Sequence, residues 1–143
     1  MTSPFSAAYD DLTGLGYRAV PLIAPTCAHH QGRGKAPGTM VGGGWRGLDR
    51  WQRFRDEAPS SFDLKLWRGM ADANIGIVMG GPAADQHVMS VDVDTVDPDA
   101  LDLILSMLPP SPMIKSGAKG ETRFYRAPKD IKTRCYNDDR IPH

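Results

Sequence analysis

The chain has 143 residues, 41% of them hydrophobic and 24% charged, which suits one globular domain over residues 1–143 with its own core. Its 17 Lys and Arg balance 17 Asp and Glu, so the formal net charge is zero and a uniformly basic protein that coats nucleic acid is excluded. Any contact with DNA or RNA has to come from local patches, and no apolar run has the length of a membrane span.

The spacing predicts a first helix over Ser6–Leu15, stopped by Gly16, and a strand over Tyr17–Ile23. Residues 24–44 are dense in Gly and Pro and end in Gly42-Gly43-Gly44-Trp45, which reads as a long binding loop or a disordered one. Within it, Cys27-Ala28-His29-His30 invites zinc, but no second Cys or His pair follows at finger or ribbon spacing, so a polar loop is expected. The other cysteine, Cys135, is remote, and no signal peptide is visible, so a reduced, cytoplasmic setting is expected. Leu48–Phe54 and Ser60–Arg68 read as short helices that place Trp51, Phe54, Phe62, Leu66 and Trp67 in the core.

Asn74–Gly81 reads as a short apolar strand closed by a glycine turn, with Gly76 and Gly80 shaping the turn. His87–Asp94 is the next strand, expected to pair antiparallel with it. Asp97-Pro98-Asp99 opens a helix whose buried stripe is Leu101, Ile104, Leu105 and Leu108, and Pro109-Pro110 stops it. Met113–Lys115 and Glu121–Arg126 form a hairpin about a glycine loop, Lys132–Tyr136 starts a further strand, and Asn137-Asp138-Asp139 reads as a turn. The elements together predict an α+β fold.

Charge is segregated along this order. Residues 33–55 carry Arg33, Lys35, Arg46, Arg50, Arg53 and Arg55 against Asp49 alone; residues 85–102 carry Asp85, Asp92, Asp94, Asp97, Asp99 and Asp102 with no Lys or Arg; residues 115–134 are basic again. The run Val88-Met89-Ser90-Val91-Asp92-Val93-Asp94 alternates as a strand and ends in two carboxylates, which project from one face about 6 to 7 Å apart. Paired carboxylates of this kind suit divalent cations. The segment from Ser116 to Arg126 then offers Lys119, Thr122 and Arg126 as phosphate donors around Gly120, with Thr122 and Arg126 on one face of the strand and Arg123 pointing away. Metal beside triphosphate suggests nucleotidyl transfer. Lys35 follows Gly34, but Ala36-Pro37 after it rules out a Walker A loop, so it is a candidate contact to template or nucleotide only.

The order Gly16-Tyr17, Pro21-Leu22, Gly34-Lys35-Ala36-Pro37, Gly44-Trp45, Trp51, Asn74-Ile75-Gly76-Ile77-Val78-Met79-Gly80, Ser90-Val91-Asp92-Val93-Asp94, Leu108-Pro109 and Lys119 to Arg126 resembles the Prim-Pol domain. That is the bifunctional DNA primase/polymerase domain of phage and plasmid replication proteins, in the archaeo-eukaryotic primase superfamily. The likeness runs from about Tyr9 to the end of the chain. It implies an RRM-like core, an antiparallel sheet with packed helices, in which Asp92 and Asp94 bind two Mg²⁺ or Mn²⁺ ions and an adjoining strand holds the incoming nucleotide. The implied partners are a single-stranded DNA template, dNTP or NTP, and a fused or associated helicase.

Two departures from the family pattern stand out. Gly120-Glu121-Thr122 occupies the place of the family's commonest Ser-x-His or Gly-x-His, which leaves the histidine's contact unfilled. The family's third metal-binding carboxylate and its Pro-Pro-Ser segment have no counterpart before Arg140-Ile141-Pro142-His143, so either the chain is a piece of a longer replication protein or the site is degenerate. On this reading the chain alone is expected to bind metal and nucleotide weakly and to polymerise poorly, and a longer chain restoring the strand to polymerise better. Two alternatives compete: a non-catalytic nucleic-acid-binding module of a replication initiator, and a metal-dependent nuclease.

Overall fold

The structure is a computed structural model that describes residues 2–81, 86–129 and 131–136, Gln86 by its backbone alone. It divides into two units, residues 1–82 and 83–143. It is a mixed α+β fold with antiparallel sheets, compatible with the RRM-like expectation.

The first unit begins with α1, Pro4–Gly14, whose N-cap Ser3 is buried and accepts the Ser6 amide at 3.1 Å. The strand that follows, β1, is Ala19–Leu22, shorter than the sequence suggested. It pairs antiparallel with β4, Asn74–Ile77, in the register Ala19↔Ile77 to Leu22↔Asn74. The expected pairing of Asn74–Gly81 with His87–Asp94 is therefore incorrect: β4 satisfies its backbone groups on β1, more than fifty residues upstream.

The supposed long loop is also largely structured. Gly38–Val41 (β2) and Gly44–Gly47 (β3) form a hairpin, with Val41 opposite Gly44. Gly42 and Gly43 connect them at φ 58° and 80°, and a two-residue hairpin turn with both φ values positive is one that glycine adopts at little cost. Cys27 and His30 lie in the turns before the hairpin, where His30 Nδ1 accepts the Gly32 amide at 3.0 Å.

A 3₁₀ helix over Trp51–Arg55 and helix α2, Ser61–Arg68, complete this unit. Its core joins Phe5, Tyr9, Val20, Phe54, Trp67, Met70, Ala73 and Val78. Trp67 stands edge-on to Phe5 (5.9 Å, 89°) and to Phe54 (5.1 Å, 82°), a favoured geometry for buried rings. Burial raises the Tyr9 hydroxyl above its ordinary pKa. Phe62 and Leu66, expected in the core, are instead 75% and 40% exposed, because α2 turns Leu64 and Trp67 inward.

Helix α2 carries a full capping box: Ser60 Oγ accepts the Asp63 amide and Asp63 accepts the Ser60 amide, both at 3.1 Å. Ser60→Ala removes one half of this box and is expected to cost about 1 kcal/mol, read as a lower midpoint in urea unfolding, with Ser60→Asp restoring most of it.

The second unit contains β5, Gln86–Asp94; α3, Pro98–Met107; β6, Met113–Gly117; and β7, Gly120–Pro128. The three strands form one antiparallel sheet in the order β5-β7-β6. Val88, Val93, Phe124 and Ala127 are buried in it, whereas the predicted stripe of α3 is only half-buried. Residues 131–136 have no regular structure, so the strand expected over Lys132–Tyr136 is not formed. Asp85, Asp138, Asp139 and the Arg140–His143 segment, all named in the sequence reading, lie outside the described residues.

Candidate active site

Antiparallel register fixes which side chains share a face, since residues directly opposite each other point to the same side. Asp92 lies opposite Thr122, and Thr122 lies opposite Lys115 on β6, so these three form one row across the sheet. The next row on that face is Asp94, Gly120 and Gly117. Both carboxylates are exposed at the end of β5, about 6 to 7 Å apart along the strand.

The Thr122 hydroxyl donates to Asp92 Oδ1 at 2.6 Å, the length of a charge-assisted O–H···O⁻ bond. Sequence reading gave Thr122 a phosphate and not a carboxylate. Gly120 sits at φ 140°, and a Cβ built on it would overlap the Val93 carbonyl oxygen, so the hairpin closes against β5 only with glycine here. The buried Thr95 amide, one residue beyond Asp94, donates to the Lys119 carbonyl at 2.7 Å. The turn that carries Lys119 is thereby tied to the carboxylate end of the sheet.

The opposite face holds α3. Arg123 Nη1 donates to the Leu105 carbonyl at 3.1 Å, Tyr125 donates to the Pro109 carbonyl at 2.8 Å, and Arg123 Nε meets Glu121 at 2.7 Å. That hydrogen bond to Glu121 holds the Arg123 guanidinium above its ordinary pKa. It points away from the carboxylates, in line with the strand period.

The acidic run separates into two jobs. Asp92 and Asp94 remain at the sheet, while Asp97 caps α3 by accepting the Asp99 and Ala100 amides at 3.0 and 3.3 Å.

Of the predicted site residues, Asp92, Asp94, Lys119, Gly120 and Thr122 meet at one end of the second unit's sheet. Arg126 is on the same face but opposite Val88, about 13 Å along the strand from Thr122. Lys35 belongs to the first unit, exposed in a turn where its amide donates to the Gly32 carbonyl at 3.0 Å. Lys115 was missed, although counting back from the Gly117↔Gly120 turn places it opposite Thr122.

Two carboxylates are a sparse donor set, and among the described residues no three or more His, Cys, Asp or Glu cluster as metal ligands. Such a pair fits Mg²⁺ or Mn²⁺, because these hard ions keep several waters and take one or two carboxylates together with substrate phosphates. Asp92 and Asp94 would hold the ion, with Lys119 and Lys115 flanking.

A family model described as bifunctional DNA primase/polymerase, N-terminal (Prim-Pol), matches residues 10–141. The chain belongs to the Prim-Pol family. The match spans nearly the whole chain and takes in Asp92, Asp94 and the β6–β7 hairpin. DNA primase/polymerase function is thus the general assignment of the Prim-Pol chain. No curated protein and no solved structure matches it. Among its described residues no helix is long and apolar enough to cross a membrane.

Proposed function

We propose that this Prim-Pol chain performs metal-dependent, template-directed nucleotidyl transfer, making primers or extending DNA in phage, plasmid or prophage replication. The observation that carries this reading is the joint presentation, at one sheet end, of Asp92 and Asp94 beside a tethered Lys119 turn.

Asp92 and Asp94 bind Mg²⁺ or Mn²⁺ as the catalytic pair. Held by these two carboxylates, a divalent ion would supply activation of the attacking 3′-hydroxyl and neutralisation of the charge growing on the leaving pyrophosphate. Lys119 supplies a cation at the turn tip, Gly120 lets the backbone approach closely, and Arg126 extends donors along the same face toward the nucleotide, while the Thr122 hydroxyl is given to Asp92. Lys35 serves as a contact to template or nucleotide. The partners are single-stranded DNA and dNTP or NTP, with a fused or associated helicase supplying unwound template.

Because two carboxylates leave most of the ion's coordination to water and phosphate, metal and nucleotide are expected to bind together. Titration of dATP, followed calorimetrically, should give at least about tenfold tighter binding with Mn²⁺ than with EDTA. Asp94→Asn should abolish the difference. Equal dATP affinity with and without Mn²⁺, alongside intact single-strand binding, would favour a non-catalytic binding module.

A further inference from the structure

We infer that Thr122 is a positioning residue that sets the Asp92 carboxylate for metal binding. The inference rests on the metal reading above. It starts from the hydrogen bond between Thr122 Oγ1 and Asp92 Oδ1, 2.6 Å long and across a strand pair whose register cannot drift.

Two features hold that register, and a third seats the far edge of β7. Gly120 packs against the Val93 carbonyl so closely that no larger residue fits. The Thr95 amide holds the Lys119 carbonyl beyond it at 2.7 Å. On the far side of β7, Ser111 Oγ accepts the amides of Met113 and Phe124, both at 3.2 Å, and so fixes β6 to β7 two residues from Thr122. A one-residue slip would turn Thr122 to the α3 face, so the lock guarantees that a hydroxyl faces Asp92.

A β-branched side chain is stiff at χ1, so the half-buried Thr122 presents its donor in a defined direction and restrains Asp92 before any ion arrives. Asp92 then offers Oδ2 and the remaining lone pair of Oδ1. Groups that hydrogen-bond a ligating carboxylate typically change metal affinity 10- to 100-fold when removed, because they fix the ligand's orientation.

The test is Mn²⁺ titration of the ¹⁵N-labelled full chain, reading paramagnetic broadening of the β5 and β7 amide signals. Thr122→Val, which keeps branching and volume and removes the donor, should raise the half-broadening Mn²⁺ concentration about tenfold. Thr122→Ser should stay within about twofold of the parent, because it keeps the hydroxyl. Unperturbed Thr95 and Arg123 amide shifts certify the register of each variant, and Thr122→Ala replaces Thr122→Val if those shifts move. Parent-like Mn²⁺ binding by the donor-free variants overturns the positioning role while leaving the metal reading intact. Broadening that Asp92→Asn and Asp94→Asn do not change overturns the metal reading itself, and the positioning role with it.

Discussion

Gly120→Ala is expected to destabilise the second unit by at least about 3 kcal/mol and to melt it at least about 12 °C lower. Two terms add. At φ 140° an alanine is strained wherever its methyl points, and here the methyl would overlap the Val93 carbonyl oxygen and crowd the Thr95 amide. The hairpin has to back away from β5, which lengthens the bond from Thr95 to the Lys119 carbonyl and draws Thr122 off Asp92. Gly117→Ala is the matched control. It lies opposite Gly120 in the same hairpin, yet its Cβ would meet only the Gly120 carbonyl oxygen, at an ordinary 3.8 Å. Thermal unfolding followed by circular dichroism should show a large loss for the first variant and little change for the second. Equal melting of both would mean that the close approach at Gly120 does not hold the sheet.

Asp92→Asn and Asp94→Asn are each expected to lower primer extension roughly a thousandfold, about 4 kcal/mol of lost transition-state stabilisation. Asparagine keeps the size of the side chain and, at position 92, a carbonyl oxygen able to accept the Thr122 hydroxyl, so the substitution removes charge without removing that bond. If both acids hold the same ion, as proposed, the double variant should be no worse than the more damaged single variant. Multiplying losses in the double variant would assign the two carboxylates to separate tasks.

Local chemistry made several elements legible in advance. Strand β5 showed itself by alternation, α3 by the Asp97-Pro98 cap, and the β6–β7 hairpin by its glycine loop. That Arg123 points to the far face followed from a period of two alone, whereas its bond to the Leu105 carbonyl did not. Other features depended on distant partners. Nothing within Asn74–Ile77 says that it pairs with β1, and the nearest strand in sequence was the wrong choice. In α2, Phe62 with Leu66 and Leu64 with Trp67 both make a helical stripe, and only the ring cluster of Phe5 and Phe54 decides which one turns inward. The β2–β3 hairpin carried its own Gly-Gly turn signal, submerged in a segment so rich in Gly and Pro that it read as loop throughout. At the site, the carboxylates and the Lys119 turn were visible from residue type, whereas the Thr122 bond and the place of Lys115 needed the register.

Primer extension on a single-stranded template, with Mn²⁺, dNTPs and a labelled primer, tests the central claim most directly when the parent is compared with Asp92→Ala/Asp94→Ala. The account predicts template-dependent lengthening of the primer, weak with the parent and stronger with a C-terminally extended form, lost in the double variant and in EDTA. No lengthening by either form while template binding is retained, or shortening of the labelled strand, would contradict it, the first pointing to a binding module and the second to a nuclease.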